Sequence, residues 1–234
     1  MISGLQKMTL LDFPGKIACT VFLHGCNYRC PFCHNSELLA GKPEPLMDEE
    51  SFFKFLKSRQ GLLDGVCVSG GEPTLQPNLG TFLKRIKDLG FSVKLDTNGS
   101  RPAVLKALVE QGLVDYVAMD IKNSPSQYGQ TIGKETPDLS GIEESVHFLS
   151  EGKVGYEFRT TVVEQLHSEE SIVQMGKWLR EITGGKAQKL YLQRFVDRDT
   201  VMFSGLSAPN DEKMVRFQEV LRPYIQYVAI RGED

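Results

Sequence analysis

The stretch "GVCVSGGEPTLQPNLGTFLKRIKDLGFSVKLDTNG", residues 65–99, decides the fold. "GVCVS" at 65–69 and "FSVKLD" at 91–96 are short, largely apolar runs of strand length that contain β-branched residues. Between them Leu79, Phe82, Leu83, Ile86 and Leu89 recur at the spacing of a helix with one buried face. Strand, helix and strand without a long linker make a βαβ unit, whose two strands run parallel. Both strands end in polar, glycine-bearing turns, Gly70-Gly71-Glu72-Pro73 and Asp96-Thr97-Asn98-Gly99. In parallel sheets these carboxyl ends are where ligands bind.

Outward from this unit the same alternation continues. "KIACTVFL" (16–23), "YVAMDI" (116–121), "VGYEFRTTVV" (154–163) and "KLYLQRFV" (189–196) bring the expected strands to six. Helical spacing recurs in Phe52, Phe55, Leu56 and Arg59; in Val104, Leu105 and Leu108; in Ile142, Val146 and Leu149; and in Ile172, Met175, Leu179 and Ile182. Met214, Phe217, Leu221 and Tyr224 mark a last helix, followed by a short strand "YVAI" at 227–230. The expectation is a single α/β domain over residues 1–234, with a core at about 16–196 and a C-terminal helix and strand at 211–231. Six units are too few to close an eight-fold barrel, so a partial (β/α)6 TIM-like barrel is expected, with a doubly wound sheet as the alternative. The stretch "KNSPSQYGQTIGKETPDL" (122–139) reads as a long polar loop, either a closing lid or an inert insertion.

Composition narrows the class. At 234 residues, 41% hydrophobic and 24% charged, the chain is long enough to bury a substantial core. A net charge of −3 implies no strong nucleic-acid field, and no nucleic-acid partner is expected. The start "MISGLQKMTLLDFPGK" has Asp12 and Pro14 where a leader would be apolar, and no run of 18 apolar residues occurs. A soluble, cytoplasmic protein with no membrane partner is expected. The five cysteines are odd in number and mostly clustered, which argues against a disulfide framework. Cys19 and Cys67, set among apolar neighbours, are expected to pack as small hydrophobes.

The strand ends collect unusual residues: Gly25-Cys26 after the first strand, Gly70, Gly71 and Glu72 after the second, and Asp96, Thr97 and Asn98 after the third. Asp120 and Lys122 follow the fourth, Arg159 lies in the fifth, and Gln193 and Arg194 interrupt the sixth. Each has a structural reading taken alone: a tight turn, a helix cap, a surface ion pair, a core-edge cation. Their convergence on one rim favours function.

The first strand runs into "FLHGCNYRCPFCHN" (22–35), a C-x3-C-x2-C cluster. With His34 it would supply a Cys3His zinc set, although the adjacent Cys33 and His34 would strain to reach one ion. Alternatively the three thiolates would hold three irons of a four-iron cubane and leave the fourth iron open to a substrate or cofactor.

This motif, with an aromatic residue before its last cysteine, resembles the cluster motif of the radical S-adenosylmethionine (radical SAM) enzymes. "SGGEP", "LDTNG" and "MDIK" follow in the order found in glycyl-radical-enzyme activating enzymes. The opening "GLQKMTLLDFPGKIACTVFLHGCNYRCPFCHN" is similar to the anaerobic ribonucleoside-triphosphate reductase activating proteins. The resemblance implies that Cys26, Cys30 and Cys33 hold a [4Fe-4S] cluster whose open iron is chelated by SAM. It implies Phe32 beside the adenine; Gly70, Gly71 and Glu72 at the SAM ammonium; Asp96, Thr97 and Asn98 near ribose and methionine; and Asp120 and Lys122 at the charged methionine end. Arg159 matches a cation on the fifth strand of such activases, and Gln193 transfers on strand position alone.

The implied activity is reductive cleavage of SAM to a 5′-deoxyadenosyl radical that takes hydrogen from a glycine of a partner enzyme, with no catalytic residue beyond the cluster and SAM. A one-electron donor such as flavodoxin or ferredoxin is a further implied partner. The second strand begins at Gly65, only 32 positions after Cys33, and no cysteine follows Cys67, which leaves no room for auxiliary clusters. The alternatives are activation of a formate-lyase-type enzyme, a small radical SAM enzyme acting on a nucleobase or other small molecule, and an electron-transfer or zinc-stabilised module.

Overall fold

The computed structural model describes residues 2–39, 46–185 and 187–232. Among the described residues eight strands form one sheet in strictly sequential order. β1 (Ile2–Thr9) pairs antiparallel with β2 (Ala18–Leu23). From β2 the sheet is parallel throughout: β3 (Gly65–Gly70), β4 (Ser92–Thr97), β5 (Tyr116–Asp120), β6 (Gly155–Val162), β7 (Ala187–Arg194) and β8 (Ile225–Arg231). A doubly wound sheet reverses its strand order at a switch point, so the sequential order rules that alternative out and leaves an open partial barrel. Among the described residues the edge strands β1 and β8 do not pair, so the sheet stays open.

Helices α1 (Glu49–Lys57), α2 (Leu79–Asp88), α3 (Pro102–Glu110), α4 (Pro125–Ile132), α5 (Ser140–Ser150), α6 (Glu169–Ile182) and α7 (Asp211–Leu221) link the parallel strands. Local signals start several of them: Asp48 accepts from the Ser51 N–H, Asn210 from the Lys213 N–H, and Ser168 and Ser171 form a reciprocal capping box. One side of each strand meets this helical layer. Val66, Val68, Val93, Leu95, Val117, Met119, Phe158 and Leu190 pack there with Leu83, Ile86, Val146 and Leu179, all fully buried in one continuous core. Cys19 and Cys67 are also fully buried, and burial pushes both thiols up to about 12. No described helix is long and apolar enough to cross a membrane.

The opposite side of the strands is polar apart from a small buried apolar cluster of Phe13, Ala18 and Cys67. By the two-residue alternation, Ser69, Lys94, Asp96, Asp120, Glu157 and Arg159 share the concave face. The site develops at its carboxyl end.

Two segments differ from expectation. β1 was not anticipated, because Gly4, Gln6 and Lys7 interrupt any apolar alternation and the strand is held at the sheet edge by pairing with β2. Within 122–139, expected to be loop, residues 125–132 are α4. Pro125 sits where the first helical turn lacks an N–H partner anyway, Tyr128 and Ile132 bury one face, and Gly133 ends the helix at φ 70°.

Candidate active site

Glycine chemistry brings the first turns together. Gly71 N–H donates to the Leu23 carbonyl at 2.9 Å and Glu72 N–H to the Gly25 carbonyl at 2.8 Å. A Cβ on Gly71 would overlap the Gly25 carbonyl, and one on Gly70 the Leu23 backbone, so the turn admits no side chain at either position. The cysteine loop and the end of β3 are thereby clamped as one unit. Asn35 adds a bond from Nδ2 to the Gly70 carbonyl at 3.0 Å.

Within the loop the residues between the cysteines fix its shape. Tyr28 and Phe32 are buried, each 4% exposed, and anchor the loop in the core. Arg29 Nη1 caps the Cys26 and Tyr28 carbonyls, both at 2.8 Å, while Arg29 N–H donates to the Ile132 carbonyl of α4 at 2.9 Å. Tyr128 of α4 accepts the Lys122 N–H through its hydroxyl at 3.3 Å. α4 therefore braces the cysteine loop against the end of β5. Lys122 is held from the other side by His167. Its Nδ1 accepts the Val163 N–H at 3.1 Å, so Nε2 carries the proton and donates to the Lys122 carbonyl at 2.9 Å.

The thiols of Cys26, Cys30 and Cys33 are free, Cys30 buried and the other two half-buried. Burial raises all three, Cys30 to about 11, while the positive charge of Lys122 opposes the rise at each sulfur. Three soft donors on one loop, close to a fixed cation, suit a thiolate-ligated cluster with one thiolate per iron. The Cys3His alternative fails on geometry. His34 Nε2 is engaged by the Val196 carbonyl at 2.7 Å, and its ring stacks on Phe195 at 5.5 Å. Among the described residues no three His, Cys, Asp or Glu side chains gather as a set for one metal ion.

Beside the triad an alternating row of charges crosses the concave face. Lys94 pairs with Asp96 at 2.5 Å, Arg159 with Asp96 at 3.3 Å and with Asp120 at 3.2 Å, and Lys122 with Asp120 at 2.9 Å. Burial disfavours the charge on Asp96, but Arg159 and Lys94 outweigh it and hold the carboxyl down at about 2. For Asp120 the same opposition of burial against Lys122 and Arg159 ends in a lowered pKa. Burial works to strip the Lys122 proton, yet Asp120 and the neighbouring Cys30 keep its pKa above the ordinary value. The row ends at the cysteine loop, where Lys122 Nζ lies 5.8 Å from the centre of the Phe32 ring.

Most of the expected site residues thus converge, but two side chains turn elsewhere. Glu72 and Thr97, expected beside the cofactor, are 1% and 3% exposed. The Glu72 carboxylate accepts from Thr74 N–H, Thr74 Oγ1, Thr97 Oγ1 and Asn98 N–H, which occupies it inside the protein. Both are scaffold, tying the turn after β3 to the turn after β4. Arg159 is likewise engaged by the two aspartates it separates. Gln193 pairs in register with Thr161 and shares the face of Arg159, one strand away. Asn27, Asn35 and Lys94 were not singled out from the sequence. Asn27 and Asn35 lie within the quoted cysteine stretch, and Lys94 lies two residues before Asp96 on the same face of a strand.

A family model described as the radical SAM superfamily matches residues 20–175. The chain belongs to the radical SAM superfamily. Over 99% of its length this radical SAM chain is 31% identical to "Putative glycyl-radical enzyme activating enzyme MJ1227" of Methanocaldococcus jannaschii, covering 95% of that protein. It is 37% identical over 130 residues to the pyruvate formate-lyase-activating enzyme of Clostridium pasteurianum, a match covering 52% of this chain and 52% of that one. A solved domain of pyruvate-formate lyase-activating enzyme from Bacteroides vulgatus ATCC 8482 has the same fold, with TM-score 0.57 and 23% identity over 72% of this chain and 99% of that one. Within the superfamily the chain groups with the glycyl-radical enzyme activating enzymes, and it is an enzyme. Its superfamily implies a [4Fe-4S] cluster and SAM, and the three free thiols on one rim loop fit that cluster.

Proposed function

We propose that the protein is a radical SAM activase that installs a glycyl radical on a partner enzyme, anaerobic ribonucleoside-triphosphate reductase. The observation that carries the reading is the meeting of two unlike sets on one rim: the thiols of Cys26, Cys30 and Cys33, and the charged row ending in Asp120 and Lys122. An electron carrier needs only the first. A zwitterionic ligand such as the methionine end of SAM suits the second, with Lys122 toward its carboxylate and Asp120 toward its ammonium.

When bound, the cluster and SAM would supply reductive homolysis of the SAM carbon–sulfur bond and the radical that takes hydrogen from the partner's glycine. The protein's own part is to hold and orient. Cys26, Cys30 and Cys33 would ligate three irons, and the clamped Gly70-Gly71 turn presents backbone to the rim. Phe32 would lie beside the adenine. Arg159 keeps Asp96 and Asp120 ionised without presenting a free cation of its own. Thr97 and Glu72 hold the Asn98 turn in place, and Gln193 extends the same face toward the rim.

The choice of reductase rests on the opening stretch from Gly4 to Asn35, which resembles activators of that enzyme. A formate-lyase partner is the second reading, favoured by the match to the Clostridium pasteurianum enzyme. The test is anaerobic: reconstitute with iron and sulfide, reduce with dithionite, add SAM, and quantify 5′-deoxyadenosine. Production that requires reductant and the cysteine triad supports radical SAM chemistry, and a loaded cluster without cleavage overturns it. The glycyl radical signal is then sought by electron paramagnetic resonance on each candidate partner. A signal on formate lyase and none on the reductase replaces the first partner with the second.

A further inference from the structure

Asn98 is oriented by bonds that leave one donor aimed at a cysteine sulfur. Its Oδ1 accepts the Ser100 N–H at 3.0 Å, which fixes which end of the amide is oxygen. Nδ2 must then point the other way. It donates to Asn27 Oδ1 at 2.9 Å and lies 3.9 Å from Cys26 Sγ. Asn27 is itself fixed, since its Nδ2 donates to Ser100 Oγ at 2.9 Å. The backbone of Asn98 is held by Glu72, whose Oε2 accepts its N–H at 2.6 Å. The result is a closed ring of bonds through Asn98, Asn27 and Ser100 across two loops. Cys26 also receives the Tyr28 N–H at 3.4 Å, so its sulfur faces one backbone and one side-chain donor.

We infer that Asn98 is a positioning residue that raises the reduction potential of the cluster through a hydrogen bond to the Cys26 thiolate, with Asn27 locking the amide in place. The inference rests on the cluster reading proposed above. Reduction adds negative charge to the iron–sulfur unit, and a donor to a ligating sulfur stabilises that charge more in the reduced than in the oxidised form. Asn98 thus acts on the cluster through its ligand, in contrast to the expected contact with the ribose or methionine of SAM. The side chain sits on the turn that the buried Glu72 holds rigid, so the donor is set in direction before any cofactor binds.

The test is a redox titration of the reconstituted cluster without SAM, followed by electron paramagnetic resonance, on the wild type, Asn98→Ala, Asn98→Asp and Asn27→Ala. Asn98→Ala removes the donor and lowers the one-electron reduction equilibrium constant about tenfold, equivalent to 59 mV. Asn98→Asp keeps the acceptor for Ser100 N–H, places an acceptor at the sulfur and shifts the midpoint further in the same direction. Asn27→Ala frees the amide and gives a smaller shift of the same sign. Iron and sulfide content and SAM affinity are measured on the same samples. A loaded Asn98→Ala or Asn98→Asp cluster with an unchanged midpoint overturns the inference, and a loss of SAM affinity in its place returns Asn98 to the SAM site. Should Asn98→Ala fail to load, the Asn27→Ala midpoint decides. A wild type that assembles no four-iron cluster overturns the underlying assignment itself.

Discussion

Glu72 accepts the backbone N–H of Asn98 at 2.6 Å, joining the turn after β3 to the turn after β4 through a carboxylate that solvent does not reach. Glu72→Ala would leave the donors of Thr74, Thr97 and Asn98 without this acceptor. At about 1–3 kcal/mol for a buried group left unpaired, the variant is expected to lose about 3 kcal/mol of stability or more. Urea unfolding measures this, and a loss below about 1 kcal/mol would show that water or a rearranged turn replaces the carboxylate.

Asp96 makes stability depend on acid. Its carboxyl sits at about 2 in the folded chain against an ordinary 3.8, so between these values the unfolded chain binds more protons. The contribution is full above the unfolded value and is lost as pH falls toward about 2. It amounts to about 2 kcal/mol. Glu72 has the opposite sign, because burial raises its folded pKa and stability declines as pH rises from the unfolded toward the folded value. Unfolding free energies at several pH values below about 5 should fall more steeply for the wild type than for Asp96→Asn. Parallel slopes would refute the coupling to Arg159 and Lys94.

Lys122→Met removes a cation and keeps the length of the side chain. SAM affinity is expected to fall at least about tenfold, the scale of one bond to a charged group. Cluster loading should persist. Equilibrium dialysis against SAM with parallel iron analysis reads both, and unchanged affinity would take Lys122 out of the SAM site.

Replacing Cys30 and Cys33 together by Ala should abolish cluster assembly and 5′-deoxyadenosine formation. Iron analysis and SAM cleavage are the checks. Cleavage retained at the wild-type rate would sink the assignment of the triad.

Gly133→Ala tests the brace formed by α4. The added Cβ meets the Arg29 backbone, at a φ of 70° that L residues rarely adopt. A loss of about 1–2 kcal/mol is expected together with reduced iron loading. Loading that stays complete in the folded variant would separate α4 from the cysteine loop.

Much of this arrangement was legible because it is local. The parallel strands announce themselves as apolar runs, and the triad, the Gly-Gly turn and Asp120 with Lys122 each lie within a few residues of one another. What escaped was set by distant partners. β1 looks like loop because its partner β2 supplies the pairing that its own side chains do not advertise. α4 was hidden by a composition of Pro, Gly, Ser and Gln, although Ser124-Pro125 and Gly133 are start and stop signals and Tyr128 and Ile132 lie one turn apart. The resemblance puts Glu72 at the SAM ammonium with the rest of its turn. Only the positions of Thr97 and Asn98, some 25 residues away, reveal that its oxygens are already occupied.

The cysteine loop takes its shape from groups other than its sulfurs: the buried rings of Tyr28 and Phe32, the Arg29 guanidinium over its carbonyls, Asn35 on Gly70, and α4 behind it. The loop is thus a mould cast by the rest of the chain, and under the proposed reading iron and sulfide would enter a shape that does not wait for them.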